Sequence, residues 1–326
     1  MVDNSKAIQE ALALLGGGAR LASNKTPVEV IPTELPILND RVFGCGGIPR
    51  SKVIEVYSKP SVGKSTLVYW LMGQVQKHGG VAVLLDAEGA YYPDYGEACG
   101  IDNSKLIIPE FTFGEDGLYL VKILLAKNIV DLIAIDSMPA LQPKVAAEAT
   151  AEAKSMHQNL ARAKMYTSFF NDIMGGYEIN KIKASKVYIV DGEKVDTIHK
   201  IHDKKACLMM INHAKDKVGV MFGERTYTPG GDSINFASSV RIGMSYIGKS
   251  KKKGPDDMPL FREVKITAAK NKLAPPYNEA IIRLWRKGGI TSEDMAKDME
   301  TEVVDEEKEA SVIDGLAKLA SAFPQS

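Results

Sequence analysis

The chain has few cysteines, no long apolar run and an opening segment unlike a secretory leader, and each feature argues against a class of protein. Its three cysteines, Cys45, Cys99 and Cys207, are odd in number and lack metal-ligand spacing, which favours reduced, buried thiols over disulfides. No apolar stretch approaches the roughly 20 residues that span a bilayer. The opening segment MVDNSKAIQEALALL has acidic and polar residues where a leader has basic and then apolar ones. We therefore expect a cytoplasmic protein without a membrane partner.

Net charge is also absent, because 41 basic side chains balance 41 acidic ones. The two kinds of charge are nevertheless not evenly distributed along the chain. Residues 293–309 hold nine acidic residues and two lysines, a net of −7, so the rest of the chain carries +7. A basic body with an acidic tail is typical of a protein that binds a polyanion and limits access to itself with the tail. Taken alone, the acidic run is equally consistent with a solvated tail.

The pattern of apolar segments predicts an α/β fold. A length of 326 residues with 45% apolar residues allows one large core with small appended segments. Short apolar strands are predicted at Val53–Tyr57, Val81–Leu85, Leu132–Ile135 and Leu208–Ile211. Because they alternate with helical stretches such as 161–173, they indicate a mostly parallel, doubly wound sheet. Three more strands near 240–246, 264–268 and 280–284 extend that sheet.

The predicted organisation has three parts: an N-terminal arm and linker at 1–40, a core at 41–290, and an acidic tail at 291–326. The arm opens with an amphipathic helix that carries Ile8, Leu12 and Leu15 and ends at three glycines. A hairpin at 186–197, around the turn pair Asp191 and Gly192, is inserted into the core near 181–204. The tail ends in a short helix whose apolar stripe consists of Val312, Leu316, Leu319 and Phe323.

A phosphate-binding loop is the clearest motif. The strand IEVY runs into Ser58-Lys59-Pro60-Ser61-Val62-Gly63-Lys64-Ser65-Thr66, which opens a helical pattern. Backbone N–H groups of such a loop cradle phosphates at a helix N-terminus, Lys64 supplies a positive charge, and Ser65 supplies a hydroxyl for Mg²⁺. Ser58 replaces the first glycine of the G-x-x-x-x-G-K-[ST] pattern, so we expect a slightly different loop geometry.

Two acidic residues follow other buried strands. Asp136 ends the segment DLIAID, and Glu88 lies in LLDAEGA. Open α/β sheets bind their ligands at the carboxyl ends of the strands. Asp136 could there support Mg²⁺ beside Ser65, and Glu88 could polarise a water for in-line attack on a γ-phosphate. Either acid alone fits a helix cap or a surface carboxylate better, but the joint placement at three strand ends favours an ATPase site.

Over roughly 46–290 the sequence resembles the RecA family of bacterial and phage-encoded recombinases. The shared segments are VIEVYSKPSVGKST, LLDAEGAYYPDYG, DLIAIDSMPAL, MMINHAKDKVGVMFGERTYTPGG and VKITAAKNKLAPP, in the family's order. The resemblance implies a RecA-like ATPase core that uses ATP and Mg²⁺, forms homo-oligomeric helical filaments on single-stranded DNA, and exchanges strands with duplex DNA. The extra hairpin and the short segment after Gly289 suggest a phage-encoded or divergent member in a bacterial cell, and leave duplex capture by a C-terminal domain without support.

The resemblance also implies roles for individual residues. Glu88 is the catalytic carboxylate, Lys64 and Ser65 bind phosphate and Mg²⁺, and Asp136 supports the metal. Tyr95 stacks on the adenine. His213 stands at the position of a polar sensor, usually glutamine in bacterial members, that reads the γ-phosphate and signals to the DNA-binding residues. Lys270 and Lys272 match lysines that reach across a subunit interface to the neighbour's ATP; without the resemblance, two solvated lysines would be the simpler interpretation.

DNA contacts are expected from two loops. The second loop, residues 215–231, offers cations for phosphates, an apolar wedge and glycines for close backbone approach. The residues concerned are Lys215, Lys217, Arg225, Val218, Gly230 and Gly231. The first loop spans about 143–157, is rich in alanine, and carries Met156 at the family's wedge position. The basic stretch 249–253 is a lesser candidate, for which a solvated turn is the simpler explanation.

Two other functions stay open from the sequence alone. A hexameric helicase-like motor would use the same core but form closed rings. A non-catalytic, ATP-gated protein that coats single-stranded DNA would not need Glu88. The segments AAKNK and GVMFGERTYTPGG favour the recombinase over the motor, and Glu88 favours an enzyme. The C-terminal tail is a candidate contact for a loader or single-strand-binding protein.

Overall fold

The computed structural model describes residues 4–15, 21, 23, 27–147, 154–177, 199–216, 226–251, 253–254 and 257–292. The strands are β1 (Val30–Ile31), β2 (Ile48–Pro49), β3 (Val53–Ser58), β4 (Ala82–Asp86), β5 (Leu132–Asp136), β6 (Cys207–His213), β7 (Lys215–Asp216), β8 (Thr226–Tyr227), β9 (Val240–Lys249), β10 (Phe261–Asn271), β11 (Glu279–Trp285) and β12 (Ile290–Ser292). The helices are α1 (Ser5–Leu15), α2 (Lys64–Lys77), α3 (Pro93–Ala98), α4 (Gly114–Lys127), α5 (Lys144–Ala147), α6 (Lys154–Gly175) and α7 (Asp232–Ala237).

One eight-stranded sheet organises the fold, in the order β12-β11-β10-β9-β3-β6-β5-β4. The five strands from β9 to β4 in this order run parallel to one another. The last three strands of the chain, β10, β11 and β12, continue from β9 as an antiparallel meander. The α/β class and the mostly parallel sheet predicted from the sequence are therefore confirmed, and each predicted strand lies within a few residues of an observed one.

Helices cover both faces of the sheet because successive strand residues point to opposite sides. Leu84 of β4 joins an apolar cluster with α2, whereas its neighbour Leu85 joins a second cluster with α4 and α6. Both leucines are fully buried. Helix α2 is itself buried along most of its length. The helix that follows the predicted phosphate-binding loop is thus fixed in the core and positions the end of that loop against the sheet.

The structure describes only one of the segments predicted outside the regular core. The amphipathic arm helix is present as α1, and none of its residues is buried. The predicted hairpin at 186–197, the terminal helix at 312–323 and the acidic tail lie outside the described residues. Within the part of the chain that the structure describes, no helix is long and apolar enough to cross a membrane.

Candidate functional site

Four parallel strands end at one edge of the sheet and bring the predicted chemical groups together. Ser58 at the end of β3 pairs with His213 at the end of β6. Asp86 at the end of β4 pairs with Asp136 at the end of β5. The backbone N–H groups of Ala87 and Glu88 donate to the carbonyl of Asp136, at 2.7 and 3.2 Å, and so hold the Glu88 loop against β5.

The phosphate-binding loop turns at Ser61 and Gly63. Both have positive φ, 61° and 110°. The φ of Gly63 favours glycine, and a Cβ there would also lie 2.2 Å from Leu284 Cδ1, so that the leucine side chain would have to move. Ser58 keeps its extended conformation in β3. The serine that replaces the first glycine of the pattern therefore introduces no backbone strain, and its side chain is buried inside the loop.

Lys64 is folded over this loop. Its Nζ donates to Ser58 Oγ at 3.4 Å and to the carbonyl of Lys59 at 3.3 Å. Burial lowers the pKa of Lys64, while the nearby carboxylates of Asp136 and Glu88 act in the opposite direction. The lysine thus lies between its own loop and the two acids, where a phosphate group would add favourable negative charge.

Asp136 is buried and hydrogen-bonded by hydroxyl groups. Burial raises its pKa, whereas hydrogen bonds from Ser65 and Tyr69 lower it and Glu88 raises it further. The Tyr69 hydroxyl lies 3.2 Å from Asp136 Oδ2. A carboxylate and a serine hydroxyl are oxygen donors of the kind that Mg²⁺ prefers, so this pair fits a magnesium site.

Glu88 shares one carboxylate oxygen with two neighbours. The hydroxyl of Ser137 donates to Glu88 Oε1, and His213 Nε2 lies 3.7 Å from the same oxygen. The His213 and Glu88 side chains are 35% and 39% exposed, so water can reach them. The structure therefore places the predicted catalytic carboxylate beside the predicted sensor.

A cleft of about 720 Å³ opens beside the loop, with Pro60, Val62 and Thr66 on one wall. Its other walls are aromatic and basic side chains: Tyr95, Tyr246, Phe261, Trp285, Arg262 and Arg286. Tyr95 is anchored by a 2.5 Å hydrogen bond between its hydroxyl and Thr66 Oγ1. Arg262 Nη1 donates to the carbonyl of Ser61 at 3.1 Å. Sequence reasoning found Tyr95 but missed Arg262 and Trp285, which lie on β10 and β11, far along the chain from the motif.

Lys270 and Lys272 lie at the far end of β10 from this cleft. Arg262 and Lys270 are eight residues apart on the strand, about 26 Å at about 3.3 Å per residue. The Nζ atoms of the two lysines donate instead to the carbonyls of Asn235 and Phe236, in α7. Phe236 is 72% exposed beside them. The structure therefore does not bring these lysines to the phosphate-binding loop of their own chain.

Comparison with known proteins identifies the family. The model of the RecA N-terminal domain matches residues 6–199 and 193–291. The chain belongs to the RecA family. It is 31% identical over 297 residues to Protein RecA of Lactococcus lactis subsp. cremoris, covering 89% of this chain and 70% of that relative. Protein RecA of Thermus aquaticus is 33% identical over 292 residues, covering 87% and 77% of the two chains. Protein RecA of Fusobacterium nucleatum is 33% identical over 293 residues, covering 88% and 69%.

The two loops that the RecA resemblance assigns to DNA are described only in part. Lys215 is exposed at the start of the second loop, and Lys217, Val218 and Arg225 lie outside the described residues. Of the predicted first loop, residues 144–147 form α5 and residues 154–157, with Met156, belong to α6, while residues 148–153 lie outside the described residues. At Gly230, φ is 112° and a Cβ would lie 2.9 Å from the Tyr166 ring. Close packing against α6 therefore favours glycine at this position, independently of any contact with DNA.

A buried ionic cluster ties the end of the second loop to the sheet of this RecA family member. Glu55, fully buried in β3, accepts hydrogen bonds from Arg241 Nε at 2.5 Å and from Asn212 Nδ2 at 2.9 Å. Arg241 Nη2 donates to Thr228 Oγ1 at 3.2 Å, and Asn212 Nδ2 donates to the carbonyl of Pro229 at 3.0 Å. Sequence analysis missed this cluster, although a glutamate inside the apolar strand IEVY was a signal, because a buried charge needs a partner.

Proposed function

We propose that this chain is a RecA-type recombinase that binds ATP and Mg²⁺, forms filaments on single-stranded DNA, and exchanges that strand with a homologous duplex. The observation that carries the proposal is the convergence of Lys64, Asp136, Glu88 and His213 at one edge of the sheet. These are the charges and hydrogen-bonding groups that phosphoryl transfer to water requires. Membership of the RecA family supplies the DNA context.

In the proposed ATPase, catalysis is positioning and electrostatic stabilisation. Lys64 and the backbone of residues 58–66 hold the phosphates, and Glu88 orients and polarises the attacking water. Ser137 fixes the rotamer of Glu88 through its hydrogen bond. Ser65 and Asp136 would hold Mg²⁺, which supplies charge to offset the negative charge of the phosphates. His213, next to Glu88, would sense the γ-phosphate.

The proposed ATP site is completed by a second copy of the chain. Lys270 and Lys272 are about 26 Å from the loop-side end of their strand, too far to reach the phosphates of the same subunit. The exposed Phe236 beside them is the kind of apolar residue that a subunit interface covers. An interface between two different surfaces repeats head to tail, and it gives an open helical filament when the rotation between subunits does not close into a ring.

DNA binding is assigned to the two loops, since cations, apolar wedges and a close backbone suit a single strand. The proposed contacts are Lys215, Lys217, Arg225, Val218, Gly230, Gly231 and Met156. The tail is proposed to limit access to duplex DNA and to contact a loader or single-strand-binding protein. Since the RecA relatives are bacterial, we propose that the protein acts in the cytoplasm of a bacterial cell, encoded by the cell or by a phage.

Strand exchange and electron microscopy together test this proposal. The protein is mixed with single-stranded DNA, ATP and Mg²⁺, and joint molecules with a homologous duplex are measured, with Lys64→Ala as the inactive control. Helical filaments and ATP-dependent joint molecules are expected. Discrete rings that unwind DNA would indicate a helicase-like motor and not a recombinase. Filaments that never yield joint molecules would indicate a coating protein.

A further inference from the structure

Tyr69 lies one helical turn after Ser65 on α2, so both side chains point from the same face of the helix. The tyrosine is buried, with 3% of its surface exposed. Its hydroxyl donates to Asp136 Oδ2 at 3.2 Å. Its ring contacts the edges of Tyr91 and Tyr95, with centroid distances of 5.4 and 6.5 Å. One side chain thus touches both the acid of the candidate metal site and the aromatic wall of the cleft.

This contact fixes the position of the Asp136 carboxylate. A buried tyrosine hydroxyl needs a hydrogen-bond partner, and here that partner is Asp136 Oδ2. Burial raises the pKa of Tyr69 well above its ordinary value, so the phenol is the donor in this hydrogen bond.

We propose that Tyr69 is a positioning residue for the metal: its hydroxyl holds the Asp136 carboxylate in the orientation that binds Mg²⁺. The inference rests on the proposed function, because it assumes that Asp136 supports the metal of an ATP site. The ring of Tyr69 has a second role, because it packs against the ring of Tyr95. The hydroxyl acts on the metal and the ring acts on the nucleoside.

Tyr69→Phe tests the first role because it removes only the hydroxyl and leaves the ring contacts in place. A hydrogen bond to a charged group has an effect of about tenfold on an equilibrium. We expect the Mg²⁺ concentration for half-maximal binding of a fluorescent ADP analogue to rise about tenfold. Binding of that analogue without Mg²⁺, measured by fluorescence anisotropy, should match the wild type. ATP turnover should recover at saturating Mg²⁺.

Tyr91→Phe is the matched control. Tyr91 belongs to the same group of rings, but its hydroxyl bonds to Asn103 Oδ1 at 2.5 Å and not to the metal site. Its Mg²⁺ titration should equal that of the wild type. Tyr69→Leu, which removes the ring as well, should additionally weaken binding of the analogue in the absence of Mg²⁺. Thermal denaturation of all three variants shows that each is folded.

The outcomes separate this inference from the proposed function. If the wild type binds the analogue in a Mg²⁺-dependent manner and Tyr69→Phe titrates identically, Tyr69 does not position the metal ligand. The same conclusion follows if Tyr91→Phe shows an equal shift, since the effect would then arise from general loosening of the aromatic group. If the wild type itself binds no nucleotide, the proposed function fails first.

Discussion

His213 stands at a position where bacterial members of the family usually have glutamine. The difference matters because an imidazole side chain titrates and an amide does not. Its ring lies near charges of both signs: Glu88 after β4, Lys64 on α2 and Lys215 on β7. Burial lowers the pKa of His213 below its ordinary value of 6.5, Lys64 and Lys215 lower it too, and Glu88 opposes them. At neutral pH His213, the proposed sensor, is therefore mostly uncharged.

Acid should switch this sensor and inhibit turnover. Once the pH falls below this lowered pKa, a protonated His213 would form an ion pair with Glu88, 3.7 Å away, and draw the carboxylate from the attacking water. Since protonation is lost as the pH rises through the lowered pKa, we expect ATP turnover of the wild type to recover towards pH 7. His213→Gln should show a weaker acid limb in its pH–rate profile at saturating ATP and Mg²⁺. Coincident profiles for the two proteins would contradict this prediction.

At the scale of elements, Arg241 on β9 is the partner on which Glu55 of β3 depends. Removing it leaves a fully buried carboxylate without its guanidinium, so Arg241→Ala should lower the free energy of unfolding by about 3–5 kcal/mol. Arg241→Lys should lower the free energy of unfolding by less, because lysine keeps the positive charge. Some loss should remain, because lysine cannot bond to Glu55 and Thr228 together. Urea denaturation measures both variants. A loss below about 0.5 kcal/mol for Arg241→Ala, the usual range for a surface change, would contradict a stabilising role.

The far end of β10 should serve a neighbouring subunit. Lys270→Ala combined with Lys272→Ala should leave nucleotide binding intact but abolish ATP-stimulated affinity for single-stranded DNA. Lys265→Ala, on the same strand but paired with Glu279 at 3.0 Å, is the matched control and should behave as the wild type. Nucleotide affinity and DNA affinity are measured separately by fluorescence anisotropy.

Mixing defective subunits tests the same element more sharply. A Lys64→Ala subunit keeps its lysines, and the double lysine variant keeps its phosphate-binding loop. In an equal random mixture, about one interface in four joins an intact loop to intact lysines across a head-to-tail contact. We expect about a quarter of wild-type ATP turnover from the mixture and almost none from either variant alone. If mixing gives no gain in ATP turnover, the lysines act within their own chain.

At the scale of the whole molecule, the charges separate into a body of +7 and a tail segment of −7. A tail of that charge competes with DNA phosphates for the basic surface. Changing Glu and Asp to Gln and Asn over 293–309 should therefore strengthen duplex binding and steepen its dependence on salt. The change leaves Val312, Leu316, Leu319 and Phe323 in place, which separates charge from docking by the apolar stripe. Unchanged duplex affinity across a salt series would exclude an electrostatic gate.

Which parts of the site could be predicted from the sequence depends on how far apart the contacting residues lie along the chain. Lys64 and Ser65 stand in one short motif, and Asp136 and Glu88 end predictable strands, so local patterns were enough to find them. Arg262 contacts Ser61 across 201 positions, and Arg241 contacts Glu55 across 186. No local pattern carries such pairs, because they depend on the order of strands in the sheet. The packing of Gly230 was missed for the same reason, since its neighbour Tyr166 lies on α6, far from Gly230 along the chain.

The length of β10 has a consequence for how the proposed assembly works. Because the loop and the lysines lie at opposite ends of that strand, a row of n subunits contains n − 1 complete sites. One terminal subunit presents a loop that no lysine reaches, and the other presents lysines with nothing to contact. The two ends are therefore chemically different, and turnover per subunit rises with the length of the DNA that is covered. An oligonucleotide long enough for only a few subunits should support distinctly less hydrolysis per bound subunit than a long single strand.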